Sequence, residues 1–362
     1  MTPSDPAAVP ATRRRIRVLI VDDSAVVRQL LTDICSSDPE LEVVGTAVDP
    51  LIARDKIKAL SPDVLTLDVE MPRMNGIEFL EKLMRLRPMP VVMISSLTRG
   101  GDDLTLRALE LGAIDYVAKP LKDLQETLPA LRTEIIEKIK VAAGARVRAK
   151  VAHRTPAPIL HDTATTCNFD IIAIGASTGG VESITALLQA FPQKIPATVI
   201  VQHMPEAFMP RFIARLGEVM PFPVEEARDG LMLSPGRVLI APGNRHLRIV
   251  SKGNAMIVHL GDDPAESGHR PSVDVLFTSL ASVAARIVGV LLTGMGRDGA
   301  EGLLRLKEAG ALTIAQDADT STVYGMPRAA ASLGAAQKIL PLPKIAAAIF
   351  QSDHRSDVKP VE

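Results

Sequence analysis

Two sets of residues in this chain have types and spacing that could do chemistry, and they follow one another. The first is acidic: Asp22 and Asp23, then Asp68, with Ser95 and Lys119 further on. Three carboxylates brought together repel one another, and one protonates unless a cation intervenes. An oxygen-only, thiol-free set of this kind suits Mg²⁺. A metal at Asp22, Asp23 and Asp68 would neutralise an incoming phosphoryl group, and Asp68 would attack it to form an acyl phosphate. Lys119 would set a positive charge on a phosphate oxygen, and Ser95 would offer a hydroxyl. The second set is a nucleophile with the means to activate it: Ser177, His203 and Asp298. A serine hydroxyl is a poor nucleophile until a base removes its proton, and the imidazolium so formed needs a carboxylate partner.

Taken singly, each residue has a plainer reading. An acid or a serine just after a strand often caps the next helix, and a lone histidine at a strand end is commonly a hydrogen-bonded structural residue. What argues for chemistry is the position they share. Arg17–Val21 stops at Asp22-Asp23, Val64–Leu67 at Asp68, Val91–Ile94 at Ser95 and Ile114–Ala118 at Lys119, with helix-length segments between. Such alternation predicts a parallel sheet with helices on both faces. In open sheets of this kind ligands gather outside the carboxyl ends of the strands, so these side chains should converge. The second half repeats the device. Asp170–Ala176 runs into a glycine turn carrying Ser177, Ala197–Gln202 ends at His203, and Ile287–Leu292 leads through Thr293-Gly294-Met295-Gly296-Arg297 to Asp298 at the start of the next helix.

Gly175–Gly179 satisfies the G-x-S-x-G pattern of a nucleophile elbow. A dinucleotide site would use a similar turn but expects an acid about twenty residues later, where Ile195-Pro196 stands instead. An α/β-hydrolase would order its triad as serine, acid, histidine. Its histidine would then be His246, His259 or His269, none of which follows an obvious buried strand.

At 362 residues the chain exceeds what one hydrophobic core organises, and 47% hydrophobic residues suffice for two sizeable cores. A net charge of -1 gives no electrostatic recruitment of nucleic acid. Cys35 and Cys167 are too few for a disulfide framework and have no nearby ligand cluster, which fits a reducing cytoplasm. No segment has the apolar length of a membrane span. The apolar run after Arg13-Arg14-Arg15 is too short for a signal peptide, so a cytoplasmic protein without membrane insertion is expected. Leu124, Leu128, Leu131, Ile135, Ile136 and Ile139 have helical spacing and should close the first domain at residue 140. Residues 141–168, with Arg146, Arg148, Lys150, His153 and Arg154, read as a solvated linker, and residues 1–15 and 353–362 as flexible tails.

Residues 16–140 resemble a response-regulator receiver domain. The match is carried by the strand-end acids, by Asp68-Val69-Glu70-Met71-Pro72-Arg73-Met74-Asn75-Gly76, by Ser95-Ser96, and by Tyr116 placed before Lys119-Pro120. The resemblance implies a flavodoxin-like fold with a five-stranded parallel sheet. It also implies phosphorylation of Asp68 by a sensor histidine kinase, Mg²⁺ at Asp22 and Asp23, and switch residues Ser95, Tyr116 and Lys119.

From 16 to 350 the chain resembles the chemotaxis protein-glutamate methylesterase family. The motifs are Gly175-Ala176-Ser177-Thr178-Gly179-Gly180, Gln202-His203-Met204, His269-Arg270-Pro271-Ser272-Val273-Asp274-Val275-Leu276-Phe277, Thr293-Gly294-Met295-Gly296-Arg297-Asp298-Gly299-Ala300 and Tyr324-Gly325-Met326-Pro327. This implies a doubly wound α/β catalytic domain over 169–352, with Ser177 as nucleophile, His203 as general base, Asp298 supporting it and the Met295 N–H as an oxyanion donor. Thr178, Gln202 and Arg270 lie in matching motifs and would line the site. The substrates implied are methyl-accepting chemoreceptors, with deamidation of receptor glutamines as a related acyl transfer. No cofactor is implied for ester hydrolysis, and a monomer is expected. In the family the unmodified receiver obstructs the serine, and phosphorylation weakens that packing. The competing class is a non-enzymatic response regulator whose second half only binds a partner. A transcription factor is disfavoured by the absence of a helix-turn-helix signature or basic stripe.

Overall fold

The computed structural model describes residues 14–71, 74–96, 101–119, 131–147, 167–253, 255–283 and 286–351. The first half alternates strand and helix: β1 (Ile16–Val21), α1 (Ala25–Ser36), β2 (Leu41–Ala47), α2 (Pro50–Leu60), β3 (Val64–Asp68), α3 (Gly76–Leu86), β4 (Val91–Ser96), α4 (Gly101–Leu111), β5 (Asp115–Lys119) and α5 (Arg132–Ala143). The apolar runs become strands because both faces are covered; every residue of β3 is buried. Side chains start the helices, with Ser24, Asp49 and Asn75 accepting backbone N–H bonds at the N-termini of α1, α2 and α3. The five strands pair in parallel in the order β2-β1-β3-β4-β5. Val21 lies opposite Leu67, so Asp22 and Asp68 leave adjoining strand ends.

The second half comprises β6 (Ile171–Ala176), α6 (Gly180–Gln189), β7 (Ala197–Gln202), a 3₁₀ turn at Glu206–Phe208, α7 (Met209–Val219), β8 (Val224–Glu226), β9 (Val238–Ile240), β10 (His246–Lys252), β11 (Ala255–Gly261), α8 (Val273–Ala281), β12 (Ile287–Leu291), α9 (Ala300–Glu308), β13 (Leu312–Gln316), α10 (Met326–Ser332), β14 (Lys338–Leu340) and α11 (Leu342–Phe350). Seven strands form a parallel sheet in the order β14-β13-β12-β6-β7-β9-β8. On one face Ile184, Phe212 and Ile345 cover Ile172, Ile174 and Val290. On the other Leu276, Phe277 and Leu303 cover Ile171, Ala173 and Val199. Both faces are thus wound with helices, and each fully buried side chain of this size contributes about 1.5–3 kcal/mol. Strand order reverses at β6, with β7 on one side and β12 on the other, which opens the crevice into which the turns after these strands project. The antiparallel β10–β11 hairpin stands outside the sheet and has no counterpart in the sequence expectation.

The two halves share apolar packing. Tyr116 of β5 meets Phe208 edge-on, with ring centroids 4.7 Å apart. Arg215 and Glu110 form an ion pair across the seam. Helix α5 runs past residue 140 to Ala143, and the chain after it pairs with the second half. The Arg146 N–H donates to Thr322 O at 3.2 Å. The Arg146 guanidinium donates to Ala318 O at 3.0 Å and to Asp319 Oδ1 at 2.6 Å. Arg146, read from sequence as part of a solvated tether, is therefore bound. The rest of that tether from 148 to 166, Leu124 and Leu128, and the tails at 1–13 and 352–362 lie outside the described residues. Among the described residues no helix is long and apolar enough to cross a membrane.

The end of β6 and the start of α8 approach so closely that a Cβ at Gly175 would lie 2.2 Å from Val273 Cγ1. Gly175→Ala should therefore lower stability by about 1–3 kcal/mol, the usual cost of overpacking a tight core. Thermal or urea unfolding followed by circular dichroism measures this, and an unchanged midpoint would contradict it.

Candidate active site and acidic cluster

At the carboxyl edge of the first sheet, oxygens of Asp22, Asp23 and Asp68 lie within 4.8 Å of one another. Lys119 Nζ reaches Asp22 Oδ2 and Asp68 Oδ2, each at 2.7 Å. The Ser24 N–H donates to Asp22 Oδ1 at 2.9 Å. Burial pushes the Asp68 carboxyl up to about 6; Lys119 opposes this and the Asp22 charge adds to it. Burial disfavours the Lys119 ammonium, but the two facing carboxylates hold its pKa above the usual lysine value. Asp22 and Asp68 are buried while Asp23 is exposed, so the cluster opens to solvent on one side. An oxygen-only set with more negative than positive charge fits a hard divalent cation, which Asp22, Asp23 and Asp68 would hold. Ser95 is buried at the end of the neighbouring strand β4. Tyr116 lies further back along β5, against Phe208.

In the second sheet Ala176 and Gln202 are register partners, so Ser177 and His203 leave β6 and β7 side by side. The His203 N–H donates to Ala176 O at 3.0 Å. The Gln202 side-chain amide donates to Ser177 O and to His203 O, both at 3.0 Å, tying the two strand ends together. The turn after β12 then passes over the serine. A Cβ on Gly294 would fall 2.8 Å from Ser177 Cβ and 2.1 Å from Met326 Sδ, so only glycine lets this backbone approach. Met295 follows and lines the same cavity as Ser177 and His203.

Asp298 is 1% exposed and accepts four hydrogen bonds. Its Oδ2 pairs with His203 Nε2 at 2.8 Å and accepts from the Val273 N–H at 2.7 Å. Its Oδ1 accepts from the Ser272 hydroxyl at 2.7 Å and the Asp274 N–H at 3.0 Å. Ser272 is the N-cap of α8, so the carboxylate sits at the positive end of that helix. Burial acts to raise its pKa, but the His203 bond and charge and the two backbone donors prevail and hold it below the usual carboxylate range. Neighbouring Asp274 moves the other way, up to about 6, chiefly through burial with the Asp298 charge adding to it. Because an ionised carboxylate only accepts, the proton of this pair sits on His203 Nε2. In the neutral ring His203 Nδ1 is then the acceptor nitrogen, and it is buried without a hydrogen-bond partner among the described residues. The chymotrypsin arrangement uses the two ring nitrogens in the opposite sense.

The cavity, about 1000 Å³, lies between the two halves. Ser177, His203, His269 and Met295 line it from one side, Asp115 and Lys138 from the other. Asp115 Oδ2 accepts from the Thr178 hydroxyl at 2.5 Å, beside the serine. Lys138 holds Asp115 at 3.4 Å and Glu134 at 2.8 Å, and donates to Tyr116 O at 2.6 Å.

The three histidines weighed for an α/β-hydrolase order fall in different places. His259 is exposed on the hairpin, 3.3 Å from Asp229. His246 is buried, and its Nδ1 accepts from the Ser272 N–H at 3.2 Å. His269 stacks on His203 with centroids 3.8 Å apart and an angle of 15° between the planes. Of the residues in matching motifs, Thr178 and Gln202 act as described above. The Arg270 guanidinium is held by Asn244 Oδ1, Asp262 O and Asp263 O. Sequence reasoning gave no role to Ser272, His269 or Asp115. For Ser272 a signal existed, since a serine just before an apolar helical run is an N-cap pattern.

Ser272→Ala removes a donor to a buried anion and also a helix cap, about 2–3 kcal/mol together at neutral pH. The folded pKa of Asp298 is depressed, so its share of this stability is present above the ordinary carboxylate range and lost as pH falls through the folded value. Urea unfolding of both proteins should therefore show a gap that narrows on acidification. A gap that stays constant would mean Ser272 acts only as a cap.

Residues 172–349 match the CheB methylesterase family, and residues 18–131 match the response regulator receiver domain. The crystallised CheB methylesterase catalytic domain of Thermotoga maritima is 34% identical, with a TM-score of 0.49 over 51% of this chain and 98% of that one. The protein-glutamate methylesterase/protein-glutamine glutaminase of Pectobacterium atrosepticum is 52% identical over 332 residues, which cover 91% of this chain and 95% of its own. Protein-glutamate methylesterase/protein-glutamine glutaminase 1 of Geobacter metallireducens is 51% identical over 346 residues, covering 92% and 95%. With this identity sustained along nearly the whole of both chains, the chain belongs to the protein-glutamate methylesterase/protein-glutamine glutaminase family, with a receiver domain preceding a CheB methylesterase domain.

Proposed function

We propose that this protein is a phosphorylation-regulated hydrolase that removes methyl groups from glutamate methyl esters of chemoreceptors in the cytoplasm, and that it also deamidates receptor glutamines. The observation that carries the reading is His203, bound through Nε2 to a buried Asp298 held as an anion, at a strand end that adjoins the one carrying Ser177. Ser177 Oγ attacks the ester carbonyl while His203 Nδ1 takes its proton. The positive charge that develops on the ring is met by Asp298, which stays ionised. The tetrahedral oxyanion receives the Met295 N–H, a donor of a kind whose loss costs on the order of 3 kcal/mol in barrier. His203 returns its proton to the departing methanol. Water, deprotonated by the same ring, then cleaves the glutamyl-serine ester and regenerates Ser177. Deamidation runs through the same steps with ammonia leaving. The chain's own residues supply every proton movement in this sequence.

In the first half Asp68 is the acceptor of a phosphoryl group from a sensor histidine kinase. Bound Mg²⁺ would offset the charge of that group. Lys119, already against Asp68, is placed to follow the new charge; Ser95 lies on the neighbouring strand β4, and Tyr116 on β5 with Lys119. The receiver lies over the Ser177 side of the cavity and obstructs a receptor helix; Asp115, Lys138 and the Tyr116–Phe208 contact support this. A ligand or modification shifts such an equilibrium only by the difference in its interactions with the two states. Phosphorylation therefore acts by weakening the seam. The protein works as a monomer in this reading.

Methanol release from methylated receptor membranes tests the esterase. Ser177→Ala should lower it at least about a thousandfold in a folded protein, because triad members act as a unit. Near-normal release would overturn the nucleophile assignment. For the regulation, Asp115→Ala removes the bond to Thr178 and should raise release by unphosphorylated protein several-fold, about 1 kcal/mol of weakened docking. A small phosphodonor with Mg²⁺ should stimulate wild type and not Asp68→Ala. A slower Asp115→Ala enzyme would contradict occlusion.

A further inference from the structure

We propose that His269 is a positioning residue for ester hydrolysis, its imidazole forming the platform that keeps the His203 ring in the orientation from which Nδ1 can take the Ser177 proton. The inference rests on the triad reading above and adds a residue to it. His203 has one in-plane anchor, the Nε2 contact with Asp298 Oδ2 at 2.8 Å. That single bond leaves a motion open. Rotation about the line from Cβ to Nε2 preserves the contact and swings Nδ1 out of its present plane. Among the described residues Nδ1 has no hydrogen-bond partner to prevent it. A ring lying face to face at 3.8 Å and 15° does prevent it, because tilting drives one edge into the neighbouring ring.

The platform is itself rigid. The His269 N–H donates to Glu266 O at 2.9 Å, and the Glu266 N–H returns a bond to His269 O at 3.1 Å. The next residue, Arg270, is bound to Asn244 Oδ1 at 2.7 Å and to Asp262 O at 2.9 Å. The chemistry of the ring also fits. Burial, then the His203 charge, pushes the His269 pKa down to about 4, with Asp298 opposing and Lys138 adding to the shift. His269 is therefore neutral in the working range. A neutral aromatic face tolerates the cation that forms on His203 during turnover, whereas a second imidazolium would repel it.

The test uses full-length protein and the initial rate of methanol release against receptor concentration, for wild type, His269→Ala, His269→Phe and Ser177→Ala. His269→Ala should lower kcat at least about tenfold with KM changed less than about twofold, the pattern of a misplaced base. His269→Phe, which keeps the flat face without ring nitrogens, should recover kcat to within about threefold of wild type. If His269→Ala does not fold by circular dichroism, His269→Leu takes its place with the same expectation. A wild-type kcat in the alanine or leucine protein would overturn the proposal. So would His269→Phe as slow as His269→Ala, which would assign the effect to a ring nitrogen. If Ser177→Ala is inactive while His269→Ala is normal, only this inference fails; if Ser177→Ala is active, the triad reading itself fails.

Discussion

A carboxylate with no access to water is stable as an anion only if the protein supplies what water would have supplied. Asp298 is in that position, and four donors converge on it: the His203 ring, the Ser272 hydroxyl and the N–H groups of Val273 and Asp274. The donors come from two places in the fold, the end of β7 and the first turn of α8. His203 arrives at the end of β7, Asp298 on the turn after β12, and the other three on the first turn of α8, which the buried His246 braces through the Ser272 N–H. Removing one partner of such a buried pair typically costs 3–5 kcal/mol. Asp298 and its donors are therefore part of what holds the second half together, and under the proposed function they also equip it for chemistry.

The acidic cluster uses the opposite strategy. Among the described residues Asp68 has one backbone donor, the Glu70 N–H at 3.4 Å, and burial raises its pKa. Asp298 is held as a fixed charge, whereas Asp68 is kept short of stabilisation and close to Lys119. Under the proposed function that contrast suits a supporting anion in one case and an acceptor of a transient group in the other. Strand β5 links the two places. Its last residue, Lys119, reaches the cluster and its first, Asp115, reaches Thr178, about 13 Å apart for a strand of this length. Under the proposed function a displacement of Lys119 has a short, stiff route to the nucleophile turn.

Much of this was legible in the sequence because parallel strands buried on both faces read as uninterrupted apolar runs. The runs before Asp22, Asp68, Ser177 and His203 are of this kind, and each strand ends where its run ends. Ser272 was not legible as a partner of Asp298. The two are 26 residues apart, and neither periodicity nor capping signals say which helix terminus will meet which turn. His269 was set aside because it follows no buried strand, yet it reaches His203 from a loop that the β10–β11 hairpin delivers. Arg146 lies in a basic stretch that composition alone assigns to solvent, while its backbone pairing with Thr322 depends on how the halves dock.

The claim on which the rest turns is that a fixed Asp298 makes His203 a base for Ser177. The most direct measurement is the rate and place of covalent modification by a small sulfonyl fluoride, read by intact mass and peptide mapping, since the reagent is small against a cavity of about 1000 Å³. The account predicts a single adduct on Ser177 in the wild-type protein, forming far more slowly in folded Asp298→Asn. An adduct elsewhere with Ser177 untouched, or modification of Ser177 at the wild-type rate in Asp298→Asn, would contradict it.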